Sequence, residues 1–212
     1  AFEKGAANAT MLTQFQHLSL RGPDVLGVAV AVTLFSSSLQ TLDLGNNTIC
    51  DAGAVAISAG LKVSPSLEDL YLLGNSIGCV GAAAISEGLK LNASLKYLSL
   101  GANNIGDAGA VAISGGLKAN TVLKILGLSY NQIGDVGGVA IGDGLSVNVS
   151  LNVLNLSNNS IGNAGATAIG VALRSNDSVG LRELFVSAAL VEHPALKAAC
   201  AAKGVKCWLC RV

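Results

Sequence analysis

Three groups of residues in this chain are of types that could do chemistry. His17 and Ser19 stand two residues apart, with Asp43 further on. Read as a Ser-His-Asp set, they would need an oriented base, an oxyanion hole and a pocket shielded from water. Cys207-Trp-Leu-Cys210 has the spacing of a redox or metal-ligand pair, and with Cys200 and His193 it could supply four zinc ligands. Lys62, Lys90, Lys118 and Arg174 recur along the chain and could hold an anion. Which of these chemistries is open depends on the elements that carry them.

Those elements come from a repeat. In residues 94–121 the residues Leu95, Leu98, Leu100, Asn103 and Ile105 fall at positions 1, 4, 6, 9 and 11 of a frame. The frame reopens at Leu39, Leu67, Leu123 and Leu151, a step of 28 residues. A repeat of that length is the mark of a solenoid. Leu98 and Leu100 alternate with Tyr97 and Ser99, which predicts a strand with one buried face. Gly-Asp-Ala-Gly follows, and Asp107 is expected to cap the helix it opens. Gly109, Ala112, Ile113, Gly116 and Leu117 then share one helical face. Lys118 complements the helix dipole, and Asn120 helps to end the helix. No single repeat buries its apolar face alone, so neighbours must stack.

The whole chain, 1–212, reads as one such domain. Residues 1–38 form an irregular N-terminal repeat, 39–178 five regular repeats, and 179–212 a C-terminal repeat and cap. Residues 1–14 look like the helical half of a repeat. Phe15, Leu18 and Leu20 restore the strand frame, Pro23 stands where Asn is expected, and a short helix is predicted over 24–35. The frame returns at Leu181, Leu184 and Val186. Pro194 and Gly204 bound a last helix, and Val205, Cys207 and Leu209 alternate as a last strand.

Composition narrows the function. Apolar residues are 51% and charged ones 12%, which excludes disorder. No run reaches the ~18 apolar residues of a membrane span. Thirteen basic and thirteen acidic residues cancel, so no overall field draws nucleic acid or an acidic membrane. Five cysteines is an odd number. Cys50 and Cys79 fall in the turns of adjacent repeats, where stacking could bring them close. Seven Asn-x-Ser/Thr sequons, among them Asn8, Asn46, Asn92, Asn148 and Asn176, follow from the repeat's own composition. The balance favours a cytoplasmic location, with secretion the alternative. Without an initiator Met or signal peptide, the chain is expected to begin inside a longer protein or after processing.

The recurrent polar and small residues have structural roles to fill. Asn47, Asn75, Asn103, Asn131 and Asn159 stand where the chain leaves each strand, and their amides can satisfy the turn and the adjacent repeat. Gly53, Gly81, Gly109, Gly137 and Gly165, with Gly60, Gly88, Gly116 and Gly144, are costly inside helices, at about 1 kcal/mol each against Ala. Close approach between helix and sheet, or between helices, would offset that cost. Strands about 4.8 Å apart and helices about 8–10 Å apart force an arc. Small helical residues predict a flatter one than Leu-rich repeats would give.

The pattern LxxLxLxxNxIGDAGAxAIxxGLKxN, over nearly all of residues 15–190, resembles the ribonuclease-inhibitor-like class of leucine-rich repeats. The resemblance implies an α/β solenoid, a right-handed horseshoe arc with a parallel β-sheet on its concave face and α-helices on its convex face. It also implies macromolecular binding, usually on the concave face. The class includes ribonuclease inhibitor, the sensor regions of nucleotide-binding innate immune receptors, Ran GTPase activators and axonemal scaffolds. A Ran-type activator would want an Arg in a strand-exit loop. Arg21 stands in one, but within Arg-Gly-Pro-Asp, off the pattern.

On such a scaffold the chemical readings weaken. An open sheet shields no Ser-His-Asp set, a strand would point Cys207 and Cys210 to opposite faces, and the helix dipole accounts for the basic column. No cofactor, metal or catalytic role is expected. The concave positions instead place Tyr71, Tyr97 and Tyr130 on three successive strands, with Phe185 further along. Asp43, Glu68 and Asp69 make one side acidic; Lys96, Lys124 and Arg182 make the other basic. The expectation is a non-enzymatic module that binds another protein through Asp43, Asp69, Tyr71, Lys96, Tyr97, Tyr130 and Phe185. It would be the repeat region of a sensor or scaffold. A Ran-type GTPase-activating regulator and a structural subunit of a larger assembly, for example axonemal, are the alternatives.

Overall fold

Over residues 41–175 strand and helix alternate, one of each per repeat. The computed structural model describes residues 16–21 and 38–209. Residues 1–14, Phe15, Pro23, the helix expected over 24–35, the Asn8 sequon and Cys210 lie outside the described residues. Within them the strands are β1 (His17–Ser19), β2 (Thr41–Asp43), β3 (Asp69–Tyr71), β4 (Tyr97–Ser99), β5 (Ile125–Gly127), β6 (Val153–Asn155), β7 (Glu183–Val186) and β8 (Lys206–Leu209). The helices are α1 (Cys50–Val63), α2 (Cys79–Leu91), α3 (Gly106–Ala119), α4 (Asp135–Leu145), α5 (Asn163–Ser175), α6 (Ala188–Val191) and α7 (Pro194–Lys203). The strands form one open, parallel, eight-stranded sheet in sequence order. Pairing runs strictly in register, so that Leu42, Leu70, Leu98, Leu126, Leu154 and Leu184 sit side by side.

That row is fully buried, and with the second Leu and the turn Ile of each repeat it forms one continuous core under the helices. Burying a Leu or Ile side chain contributes about 1.5–3 kcal/mol. Stacking of this row therefore explains the frame without any functional demand. On α3 the buried face is Gly109, Ala110, Ile113, Ser114, Gly116 and Leu117. Ala112, expected on that face, is only half-buried. Its carbonyl is the acceptor for the Ser86 hydroxyl of the preceding helix. Ser58 and Ser114 make the same bond to Ala84 and Ala140. These helix-to-helix bonds require the close approach that the glycines permit: a Cβ on Gly116 would lie 2.8 Å from Ser86 Oγ.

The helix starts differ from the sequence expectation. Asp107 does not cap its own helix, whose N-cap Ile105 has no side-chain bond. Its Oδ1 accepts from the backbone N–H groups of Gly134 and Gly137, at the start of the next helix. Asp51 does the same for Gly78 and Gly81, and Asp135 for Gly162 and Gly165. In the repeat between, Cys79 occupies the Asp position and α3 receives no such cap. Gly106 there turns left-handed, with φ +59, and its N–H reaches forward to the carbonyl of Asn131. Cys50, at the start of α1, takes φ +49 and donates to Asn75 in the same way. Helices α2, α4 and α5 thus lean on the preceding repeat, whereas α1 and α3 lean on the following one.

The C-terminal end follows the expected boundaries. Pro194 opens α7, Gly204 closes it at φ +66, and β8 adds to the sheet edge beside β7.

Candidate protein-binding face

The face of the sheet turned away from the helices is built by the first and third residues of each strand. In-register pairing lines them up across the repeats. One row runs Thr41, Asp69, Tyr97, Ile125, Val153 and Glu183; the other runs Asp43, Tyr71, Ser99, Gly127, Asn155, Phe185 and Trp208. All are half-buried except Trp208, which is exposed. The centre of the face is therefore apolar or small (Ile125, Val153, Ser99, Gly127), with aromatic residues on either side.

Tyr71 and Tyr97 are diagonal neighbours, and their rings pack with centroids 4.8 Å apart at 35°. Burial, then the charge of Asp69, holds the Tyr71 phenol above its ordinary range, so it stays a neutral donor. Asp69 itself accepts from the Thr41 hydroxyl at 3.3 Å. Tyr130 is not on the third strand. It follows β5 by three residues, in a turn, with a left-handed backbone (φ +54) and about half its surface exposed. The reason is positional: the eighth residue of each regular repeat is left-handed, and Asn46, Gly74, Ala102 and Asn158 fill the same place. Phe185 lies opposite Trp208 in the β7–β8 register, apart from the tyrosine pair.

The charges are less separated than the sequence suggests. Arg21 holds both carboxylate oxygens of Asp43, at 3.1 and 2.8 Å, and this pair lowers the Asp43 pKa. Lys96 pairs with Glu68 at 2.7 Å, joining the acidic and basic sides across one strand boundary. Asp69, Lys124 and Arg182 make no ion pair among the described residues.

The Asn column lies beneath this face. Asn103 donates to the carbonyls of Leu72, Leu100 and Gly101 and accepts from the N–H groups of Asn75 and Ile77. Asn47, Asn75, Asn131 and Asn159 occupy the equivalent place in their repeats. A second ladder, missed in the sequence, runs through the helix exits. Asn92, Asn120, Asn148 and Asn176 each donate to the helix end of the preceding repeat, the first through Leu61 and the last through Leu145. Their own 28-residue spacing was the signal. It also removes three sequons, because Asn92, Asn148 and Asn176 are buried with their amides engaged.

The chemical candidates do not assemble. Ser19 donates to Asp43 directly at 3.4 Å, and Arg21 already occupies that carboxylate, so no Ser-His-Asp order forms. His193 caps α7 by accepting from Leu196 N–H. Among the described residues no three His, Cys, Asp or Glu side chains are placed to hold a metal ion, and no helix is long and apolar enough to cross a membrane.

A family profile described as "Leucine Rich repeat" matches residues 35–58, 91–114, 119–142 and 147–170. With the strand–helix stack already described, that decides the family. The chain is a leucine-rich-repeat protein. Among curated protein sequences none matches it. Among solved structures, the one titled "Leiomodin-1 Actin-Binding Site 2 (ABS2)" is similar in fold, with a TM-score of 0.56 and 16% identity. The match covers 86% of this chain and 89% of that one. At that identity the likeness concerns the leucine-rich-repeat fold alone.

Proposed function

We propose that this leucine-rich-repeat protein is a non-enzymatic interaction module of the ribonuclease-inhibitor-like class, and that it binds another protein on the bare face of its sheet. The observation that carries the reading is the packed Tyr71–Tyr97 pair, half-exposed at the edge of an apolar, small-residue centre. Tyr gives rigid contact area with a polar tip and is enriched where binding energy concentrates. The strands beneath are held in register and by the Asn ladder, so the surface is formed before a partner arrives and little ordering cost opposes binding. Lys124 and Arg182 supply the polar rim.

The test is affinity capture with wild type, with Tyr71→Ala/Tyr97→Ala, and with Val55→Ser/Val111→Ser on the helix side as a control. Purified actin is one defined partner to include, since the similar solved domain is titled an actin-binding site. Partners held by wild type and the control but lost by the tyrosine variant support the reading. Equal capture by all three overturns it.

A further inference from the structure

The C-terminal cap brings two thiols together that the interaction reading does not use. Cys200 lies in the last turn of α7, buried against the core; Cys207 is the second residue of β8, half-buried and packed on the same core. The left-handed Gly204 reverses the chain between them, and Val205 N–H donates to the Cys200 carbonyl at 2.8 Å, fixing the reversal. The two side chains interact with each other and are not joined. We propose that Cys200 and Cys207 are a thiol–disulfide exchange site, which closes to a disulfide that staples edge strand β8 to α7 when a small disulfide such as oxidised glutathione is present.

Burial sets the order of events. Cys200 is buried and Cys207 only half-buried, so the Cys200 thiolate is the costlier one; its pKa is raised, that of Cys207 is lowered, and Cys207 loses its proton first. The Cys207 thiolate attacks one sulfur of the small disulfide; that S–S bond breaks and one small thiolate leaves. Cys200 gives up its proton to the leaving thiolate or to water, attacks the Cys207 sulfur and expels the second small thiolate. Two protein thiols are oxidised and one small disulfide is reduced to two thiols. The staple matters because β8 is a sheet edge, with Trp208 and Leu209 exposed, and nothing pairs its outer side among the described residues.

The sequence supplies a clean assay. Tryptic cleavage at Lys203 and Lys206 places Cys200 in AACAAK and Cys207 in CWLCR. The full chain is incubated with oxidised glutathione, alkylated and digested without reduction at acid pH, as wild type, Cys210→Ser and Cys207→Ser. Expected is an AACAAK–CWLCR linked pair in wild type, its serine-substituted form in Cys210→Ser, and none in Cys207→Ser. A rise in melting temperature of a few degrees should accompany it in Cys210→Ser. A loop within CWLCR, a persistent glutathione adduct at Cys207, or unreacted thiols would each overturn the proposal.

Discussion

Asp107 Oδ1 lies 2.9 Å from the N–H of Gly137, thirty residues away, and accepts from it as the cap of the next repeat's helix. The same oxygen binds Gly134 N–H. A Cβ on Gly137 would stand 2.7 Å from that oxygen, so the recurrent Gly is what lets the carboxylate in. One residue pair thus joins two repeats through a helix start, where free N–H groups and the dipole both favour an anion.

Asp107→Ala should cost about 1 kcal/mol, the usual loss for a side-chain helix cap. The urea midpoint should fall with an unchanged slope. Asp107→Asn, which keeps an acceptor oxygen, should cost less. Hydrogen exchange localises the effect: the amides of Gly134 and Gly137 should lose protection, while those of the helix that holds Asp107 keep theirs. Protection lost in α3 instead would return the cap to its own helix.

What could be read in the sequence was whatever repeats along one dimension. The Leu row, the strand and helix of each repeat, and the Pro194 and Gly204 boundaries follow from period and turn chemistry. Contacts between repeats were harder, because they depend on how far one turn is displaced from the next. Asp107 looks like a cap from its local sequence, and only the stacking offset shows which helix it serves. The same offset hid the two kinds of helix start, for which Cys79 in an Asp column was a visible sign. On the bare face, Tyr97 was placed by strand alternation, but Tyr130 belongs to a turn that alternation does not describe. Arg21 is legible in the sequence only as an Arg in a strand-exit loop, because its pairing with Asp43 crosses repeats.

Gly106 and Gly109 lie three residues apart and should respond to Ala for different reasons. At Gly106 an added Cβ meets nothing within 4 Å, so the cost is conformational, about 1–2 kcal/mol for a left-handed residue. Gly106→Asn should recover part of it, since Asn tolerates that region. At Gly109 the backbone is helical, but a Cβ would stand 2.5 Å from Ile105 Cγ2 and 3.1 Å from Ala82 Cβ. Overpacking of about 1–3 kcal/mol should then outweigh the helix propensity gained. Denaturation of the three variants tests both claims, and a Gly109→Ala protein more stable than wild type would refute the second.

The Arg21–Asp43 pair predicts a small acid-side dependence. Asp43 is depressed in the folded state chiefly by its bonds from Arg21, against the opposing effect of burial. Its contribution is therefore present above the unfolded carboxylate value of about 3.9 and is lost as pH falls through the lower folded value. Both side chains are substantially exposed (47% and 33%), so the contribution should be only about 0.5 kcal/mol. Arg21→Ala should move the Asp43 titration, followed by the carboxyl carbon shift, upward. An unmoved midpoint would mean that the pair does not form in solution.

Tyr71 and Tyr97 should be coupled in stability as well as in binding. Their centroid distance and tilt fall in the range where aromatic pairs gain about 0.5–1.5 kcal/mol beyond the area they bury. A double-mutant cycle with Tyr71→Ala, Tyr97→Ala and the double variant should therefore show the single losses summing to more than the double loss by that amount. Tyr71→Phe separates the two roles. It keeps the ring contact and so most of the stability, but removes the hydroxyl that a polar group of a partner would meet beside Asp69. If Phe preserves stability and weakens capture, the phenol contributes to recognition. If the cycle shows no coupling, the rings are independent residues on a solvated strand, and the packed pair loses its claim to be a preformed anchor.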